Sequence, residues 1–242
     1  MRDFSVTFLG HSGFFVELEQ VCILFDYWQG PLPPPIPGKH LLALVSHGHK
    51  DHFNPTIFSY GESWAQVDFI VGNDVRLSAK RRAALGVREE TFHRLGPDRD
   101  EEIQNVQIHT LRSTDVGVAF LLQAEGWTIY HAGDLNWWTW PEQTEEEQVS
   151  MTQAFQREIA KLRGVQIDLA FLTLDARQEQ AAFLGFDYYM THCAIRWAIP
   201  MHSFGEYEMQ RALLESPISL PYRERVMLLT EPGRQLTFPA EP

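Results

Sequence analysis

The chain has 242 residues, 44% of them hydrophobic and 21% charged, with a formal net charge of −12 and a pI near 5.2. That length suffices for one large domain with a substantial core, taken here as residues 1–242. So acidic a chain lacks the electrostatic footprint of a nucleic-acid or anionic-membrane binder, which leaves a small molecule as the expected partner. Lys80, Arg81 and Arg82 form the one short basic run, and it reads as a solvated helix face. Nothing in the composition bears on oligomeric state.

From the N-terminus, Met1-Arg2-Asp3-Phe4 runs straight into strand-like sequence, without a signal-peptide pattern or an apolar stretch of membrane-spanning length. A cytoplasmic location is therefore the default expectation. Residues 6–9, 14–18 and 22–25 are short apolar or alternating runs parted by glycine-containing breaks, the pattern of strands. Residues 31–37, five of them proline, make a stiff loop rather than a linker. Residues 41–45 are continuously apolar, as a strand buried on both faces should be. Further strands are expected at 69–71, 106–111, 118–122, 128–130, 169–172 and 226–229, and helices at 77–85, 145–163, 176–184 and 206–215. Thr144 followed by Glu147 is a capping box for the longest helix. Cys22 and Cys193 sit in apolar surroundings and read as core thiols. Many short strands with helices between groups of them suit an α/β class αββα sandwich, two mixed sheets face to face under outer helices.

The sharpest chemical feature is Ser46-His47-Gly48-His49-Lys50-Asp51-His52, directly after the buried run. Imidazoles and carboxylates are the usual ligands of zinc and its neighbours. A helix does not account for histidines two apart, whereas a tight loop at a strand end turns all four groups inward, with Gly48 free to bend. Two more ligand types stand at the ends of strand-like runs: Asp134 in Tyr130-His131-Ala132-Gly133-Asp134, and His202 in Ile199-Pro200-Met201-His202.

Together these segments resemble the metallo-β-lactamase superfamily. The opening Phe8-Leu9-Gly10-His11-Ser12-Gly13-Phe14 with Ile23-Leu24-Phe25-Asp26 is most similar to the branch containing L-ascorbate-6-phosphate lactonase and other metal-dependent hydrolases. The resemblance implies a first metal on His47, His49 and Asp134. It implies a second on Asp51, His52, Asp134 and His202, with Asp134 bridging and a water between them as nucleophile. Zinc, one ion or two, is the expected metal, and manganese or iron suits the same donors. Asp51 would also orient the nucleophile, and His11, facing the pocket, joins it as a catalytic candidate.

One ligand of that pattern is missing. The family's third histidine of the first site falls in Leu111-Arg112-Ser113-Thr114-Asp115-Val116-Gly117, where there is none. Asp115 is the candidate substitute, Ser113 or Thr114 an alternative that holds a water, and the alternation of the strand turns His109 away. Of the other histidines, His131 suits a supporting position, and His40 and His93 look like ordinary surface residues. His192 beside Cys193 lacks a third group for thiol chemistry. Trp137, Trp138 and Trp140, with Tyr27 and Trp28, are candidates for a pocket wall. Arg177 and Arg112 are candidate anchors for an anionic group.

The expected function is a metal-dependent hydrolase acting on a small ester, lactone or phosphoester. The competing reading is a family member with an impaired metal site that binds a ligand or partner without turnover. A nuclease fits poorly with the charge. A redox di-iron centre of this fold would have a carboxylate where His49 stands.

Overall fold

The computed structural model describes residues 2–240. Its strands in chain order are β1 (Phe4–Gly10), β2 (Gly13–Glu17), β3 (Val21–Phe25), β4 (His40–Val45), β5 (Val67–Gly72), β6 (Phe92–Leu95) and β7 (Asp100–Ile103). They continue with β8 (Val106–Arg112), β9 (Val118–Ala124), β10 (Trp127–His131), β11 (Gln166–Thr173), β12 (Ala194–Met201) and β13 (Gln235–Phe238). The α-helices are α1 (Tyr60–Ser63), α2 (Ala79–Ala84), α3 (Glu145–Ile159), α4 (Leu184–His192) and α5 (Glu208–Glu215). One sheet has the order β13-β1-β2-β3-β4-β5-β6 and the other β12-β11-β10-β9-β8-β7. Both are mixed: β3 to β6 and β10 to β12 run parallel, while the remaining neighbours are antiparallel. This is the expected α/β sandwich of two mixed sheets flanked by helices.

Strand alternation explains the layers. On β3, Ile23 and Phe25 join the core between the sheets, while Cys22 and Leu24 join a second cluster under Ile57, Phe58 and Trp64. A strand covered on both faces cannot alternate with polar residues, hence the continuous apolar runs. On β10, His131 turns inward and stacks on Phe25 at 4.7 Å, so its neighbour Tyr130 faces outward. There the Tyr130 and Tyr189 hydroxyls meet at 2.9 Å, under α3 and α4. The Thr144–Glu147 capping box that opens α3 is formed. Among the described residues no helix is long and apolar enough to cross a membrane.

Several expectations need correction. Residues 226–229 form no strand; Val226 makes a single bridge to Ala198. The helix expected over 176–184 is a short 3-10 turn, Ala176–Ala181, broken at Glu179 (φ 50°, ψ −118°), and α4 begins beyond it at Leu184. The longest helix ends at Ile159 and tightens into a 3-10 turn, Ala160–Leu162. β6, β7, β13 and most of β12 were not anticipated. All four are sheet edges, where strands need no full apolar face and charges discourage further pairing. Pro200 is tolerated in β12 for the same reason.

The parallel strands all end at one rim of the sandwich, so the turns after β3, β4, β10, β11 and β12 meet there. The opposite rim is fastened by two carboxylates. Glu125, in the β9–β10 turn, accepts the backbone N–H groups of Glu19, Gln20 and Val21 at 2.8, 2.8 and 3.0 Å. Asp68 accepts from His40 Nε2 at 2.9 Å, His93 Nε2 at 2.7 Å and Gln104 Nε2 at 3.4 Å. His40 and His93 are thus not ordinary surface residues. Their strands flank β5, and that adjacency brings both imidazoles onto one buried carboxylate.

Candidate metal centre

At the rim where the strands end, the expected residues meet. Asp134 Oδ2 lies 3.4 Å from His47 Nε2, and Asp134 Oδ1 lies 3.3 Å from both His52 Nε2 and His202 Nε2. His49 Nδ1 is 3.0 Å from His47 Nε2. Asp51 Oδ2 is 3.8 Å from His52 Nε2 and 3.2 Å from His11 Nε2. Two compact donor groups result, within each of which ligand atoms lie within 4.8 Å of one another: His47, His49, Asp134, and His11, Asp51, His52, His202. A tetrahedral zinc with bonds of about 2.0–2.1 Å sets its ligand atoms roughly 3.3–3.4 Å apart, so the spacings around Asp134 suit an ion on each side of it.

Hydrogen bonds behind the imidazoles fix which nitrogen faces the site. His52 donates from Nδ1 to Asp26 Oδ2 at 2.7 Å, and His202 from Nδ1 to Asp175 Oδ2 at 3.0 Å. Ser46 gives its hydroxyl proton to Asp26 Oδ2 at 2.6 Å, so its oxygen accepts from His47 Nδ1 at 2.9 Å. All three rings therefore present an Nε2 lone pair forward, the carboxylate–histidine arrangement that orients metal ligands. Asp26 also forms a close group with His47 and His52, but it stands behind the rings. His11 is reversed. Its Nδ1 accepts the backbone N–H of Phe204 at 3.3 Å, so in the neutral ring the proton sits on Nε2, which faces the site.

The buried atoms His52 Nε2, His202 Nε2, Asp134 Oδ1 and His11 Nε2 have no hydrogen-bond partner. Several orphaned polar atoms aimed at one point are expensive unless something else satisfies them. The chemistry of the set, imidazole lone pairs around carboxylates, fits divalent metal. Electrostatics agree. Burial, aided by the neighbouring His52, lowers His47 to about 4 and keeps it neutral. Burial also opposes charge on His52, yet the Asp134, Asp26 and Asp51 carboxylates outweigh it and raise His52 to about 9. A cation competes with that proton for the same electron pair.

The segment with the missing histidine reaches the site through a glycine. Gly117 (φ +76°) packs so closely on the end of β4 that a Cβ there would lie 2.2 Å from the Ser46 carbonyl oxygen. Val118 then donates its N–H to that oxygen at 3.1 Å. Asp115 is carried alongside, with Oδ2 3.9 Å from His49 Nδ1. Burial, reinforced by the nearby Asp134 charge, raises its pKa. Ser113 Oγ accepts the Asp115 N–H at 3.1 Å, and Thr114 Oγ1 donates to the Asn136 carbonyl at 2.6 Å, so both are engaged in holding the loop.

The remaining candidates separate cleanly. His109 pairs with Asp100 at 2.7 Å across β7 and β8, away from the site. His131 donates from Nε2 to the Ser12 carbonyl at 3.0 Å and accepts the Gly133 N–H at 3.2 Å, a supporting role. His192 stacks on Tyr188, and Cys193 is buried. Trp138 and Trp140 line a cavity of about 410 Å³ over the centre, together with His49, Asp115, Met151 and Arg177. Trp137 instead packs on Phe155 and Tyr188, Tyr27 is buried with its hydroxyl on the Gly30 carbonyl, and Trp28 stands edge-on to His11. Arg112 does not line the cavity. Sequence reasoning placed Asp175 at a strand end without giving it a partner, and gave Ser46 and Asp26 no role. Their shared signal is a polar side chain just past the apolar end of a strand.

Comparison with known proteins gives a consistent picture. The beta-lactamase superfamily domain matches residues 5–151. A UPF0173 metal-dependent hydrolase of Methanosarcina mazei is 25% identical over 151 residues, 55% of this chain and 62% of that protein. Another, of Desulforamulus reducens, is 32% identical over 146 residues, 54% of this chain and 61% of that protein. The chain thus spans less than two thirds of the length of the curated relatives it matches. Among solved structures, Igni18, a metallo hydrolase of Ignicoccus hospitalis, superposes with a TM-score of 0.63 at 16% identity, covering 99% of this chain and 100% of that one. YhfI of Bacillus subtilis gives 0.64 at 13%, covering 98% and 100%. CmlA, a diiron beta-hydroxylase of Streptomyces venezuelae, gives 0.65 at 11%, covering 99% and 55%. At such identities these likenesses are likenesses of fold.

Proposed function

Since the chain belongs to the metallo-β-lactamase superfamily, we propose that it is a metal-dependent hydrolase of a small ester, lactone or phosphoester. The observation that carries this reading is the division of Asp134, whose Oδ2 faces His47 at 3.4 Å while its Oδ1 faces His52 and His202 at 3.3 Å. His47, His49 and Asp134 would hold one ion, with Asp115 beside them; Asp51, His52, His202 and Asp134 would hold the other. Zinc is the metal we favour, with manganese or iron accepted by the same donors. Bound there, divalent metal supplies Lewis acidity and brings the pKa of water towards neutrality.

Hydrolysis requires an attacking water that loses a proton and a leaving oxygen that gains one. Asp51 and His11 stand 3.2 Å apart at the site and have opposite capacities. Burial opposes ionisation of Asp51, but the His11 Nε2–H beside it at 3.2 Å and the His52 charge hold its carboxyl below the usual range, so it is an acceptor. His11, with Nδ1 occupied by the Phe204 N–H, is a donor through Nε2. Asp51 is thereby suited to orient the water and to take up its proton for return to the leaving oxygen, and His11 to stabilise a developing oxyanion through its Nε2–H. Trp138 donates its indole N–H to the Asp134 carbonyl at 3.0 Å and holds the wall against the centre.

The test strips the protein with a chelator, reloads it with zinc, manganese or iron, and screens lactones, phosphodiesters and aryl esters beside elemental analysis. Metal-dependent turnover that disappears in Asp134→Ala is expected. Protein that takes up no metal and turns over nothing would instead favour the binding-only reading.

A further inference from the structure

We infer that the substrate of this centre carries an anionic oxyacid group, carboxylate or phosphate, which Arg177 receives across the cavity. The inference rests on the hydrolase reading for the word substrate, but the anion subsite stands on its own geometry.

Arg177 is the sole cationic side chain among the residues lining the cavity, where Asp51, Asp115 and Asp134 supply negative charge. A guanidinium has two edges able to bind a carboxylate or phosphate bidentately. On Arg177 the Nε–Nη2 edge is taken: Nε donates to Asp175 Oδ1 at 2.9 Å and Nη2 to Asp175 Oδ2 at 2.5 Å. Among the described residues Nη1 makes no hydrogen bond, so the Nη1–Nη2 edge is open. A guanidinium serving merely to neutralise Asp175 has no need to stand in the cavity with its second fork presented.

The group is also held flat. Its carbon lies 4.6 Å from the Phe204 ring centroid and 5.9 Å from that of Trp140, the stacking that suits a planar cation. Asp175 Oδ2 receives both Arg177 and, at 3.0 Å, His202 Nδ1. One carboxylate thus fixes the anion receptor relative to a ligand of the metal centre, as a ruler for substrate length. The stacked pair Trp138–Trp140 (5.7 Å, 10°) offers a flat apolar wall beside it. A ligand with a hydrolysable group at one end, a planar or apolar middle and an acid at the other matches these three features.

Calorimetry on zinc-loaded protein with phenylacetate, phenylphosphonate and neutral phenylacetamide tests this without turnover. The two acids separate carboxylate from phosphate-type recognition. We expect at least one acid to bind about tenfold more tightly than the amide, a difference of about 1.4 kcal/mol, and Arg177→Gln to abolish that preference. Arg177→Lys, which keeps the charge and loses the fork, should retain part of it. Zinc content and thermal melting of both variants should match wild type. Acids that bind Arg177→Gln as tightly as wild type would overturn the inference, because metal capture alone would then explain them. In the kinetic arm, Arg177→Gln should raise KM for an aryl ester bearing a terminal carboxylate about tenfold more than for its neutral analogue. Absence of turnover with every ester counts against the hydrolase reading, while calorimetry still decides on Arg177. Turnover without any preference counts against Arg177 alone.

Discussion

Asp26 Oδ2 lies 2.7 Å from His52 Nδ1 and also takes the hydroxyl proton of Ser46, whose oxygen in turn receives His47. A single buried carboxylate therefore aims one imidazole from each donor group. Burial alone would raise its pKa, but His131, His52 and His47 around it hold it down to about 2, so it stays ionised.

Replacing that carboxylate should loosen both metal positions at once. Asp26→Asn is expected to lower zinc affinity about 10- to 100-fold, the usual effect of losing such a support. Asp175→Asn, at a carboxylate that backs His202 alone among the metal-facing imidazoles, should weaken one position. A calorimetric zinc titration distinguishes them, and wild-type affinity at both positions in Asp26→Asn would contradict the shared anchoring.

The two positions should also differ in wild type. The His47–His49 side has two imidazoles and one oxygen of Asp134, with Asp115 at 3.9 Å from His49. The other has Asp51, His52, His202 and the second oxygen of Asp134. Mild chelation should empty the His47–His49 side first, and Asp115→Ala should weaken that step alone. Two equally tight steps in both proteins would rule Asp115 out as the substitute ligand.

Gly117→Ala tests the close approach that brings the Asp115 segment inward. Its Cβ would fall 2.2 Å from the Ser46 carbonyl oxygen in a backbone with φ +76°. A loss of at least about 2 kcal/mol in denaturant unfolding is expected. A loss below about 0.5 kcal/mol would mean the loop yields freely.

At the far rim the prediction concerns pH. Burial opposes charge on Asp68, but the hydrogen bonds from His40 and His93 win and hold its carboxyl well below the ordinary carboxylate range. A carboxyl depressed in the folded state contributes stability above its unfolded pKa of about 3.9, and that contribution fades as acid protonates it. Metal-free wild type should therefore lose stability on acidification below about pH 4 more steeply than Asp68→Asn. At pH 7 the variant should be less stable by about 1–3 kcal/mol. Parallel pH curves for the two proteins would exclude Asp68 as the source.

Much of this was readable beforehand because His47, His49, Asp51 and His52 follow one apolar run too closely spaced for surface chance, and Asp134 and His202 repeat the strand-end placement. The two-sided burial of β4 was equally plain in its unbroken apolar sequence, while that of β3 was not anticipated. What escaped was set by pairing across the chain. Edge strands such as β7, Asp100-Glu101-Glu102-Ile103, carry no apolar period to detect. His40 and His93 looked solvated because the carboxylate between them lies on a third strand. The tautomer of His11 depends on an N–H from Phe204, 193 residues away.

The carboxylate fasteners Glu125 and Asp68 have a consequence for engineering. They tie hairpin turns and strand starts at the rim remote from the metal centre, so the scaffold is closed independently of the segments that carry chemistry. The 113–116 and 138–140 segments and the turn around Arg177, with Gly117 and Trp137 kept, are therefore natural grafting points. Loops of altered length or composition inserted there would change what the cavity admits while the frame beneath keeps its registration, much as interchangeable jaws fit one vice.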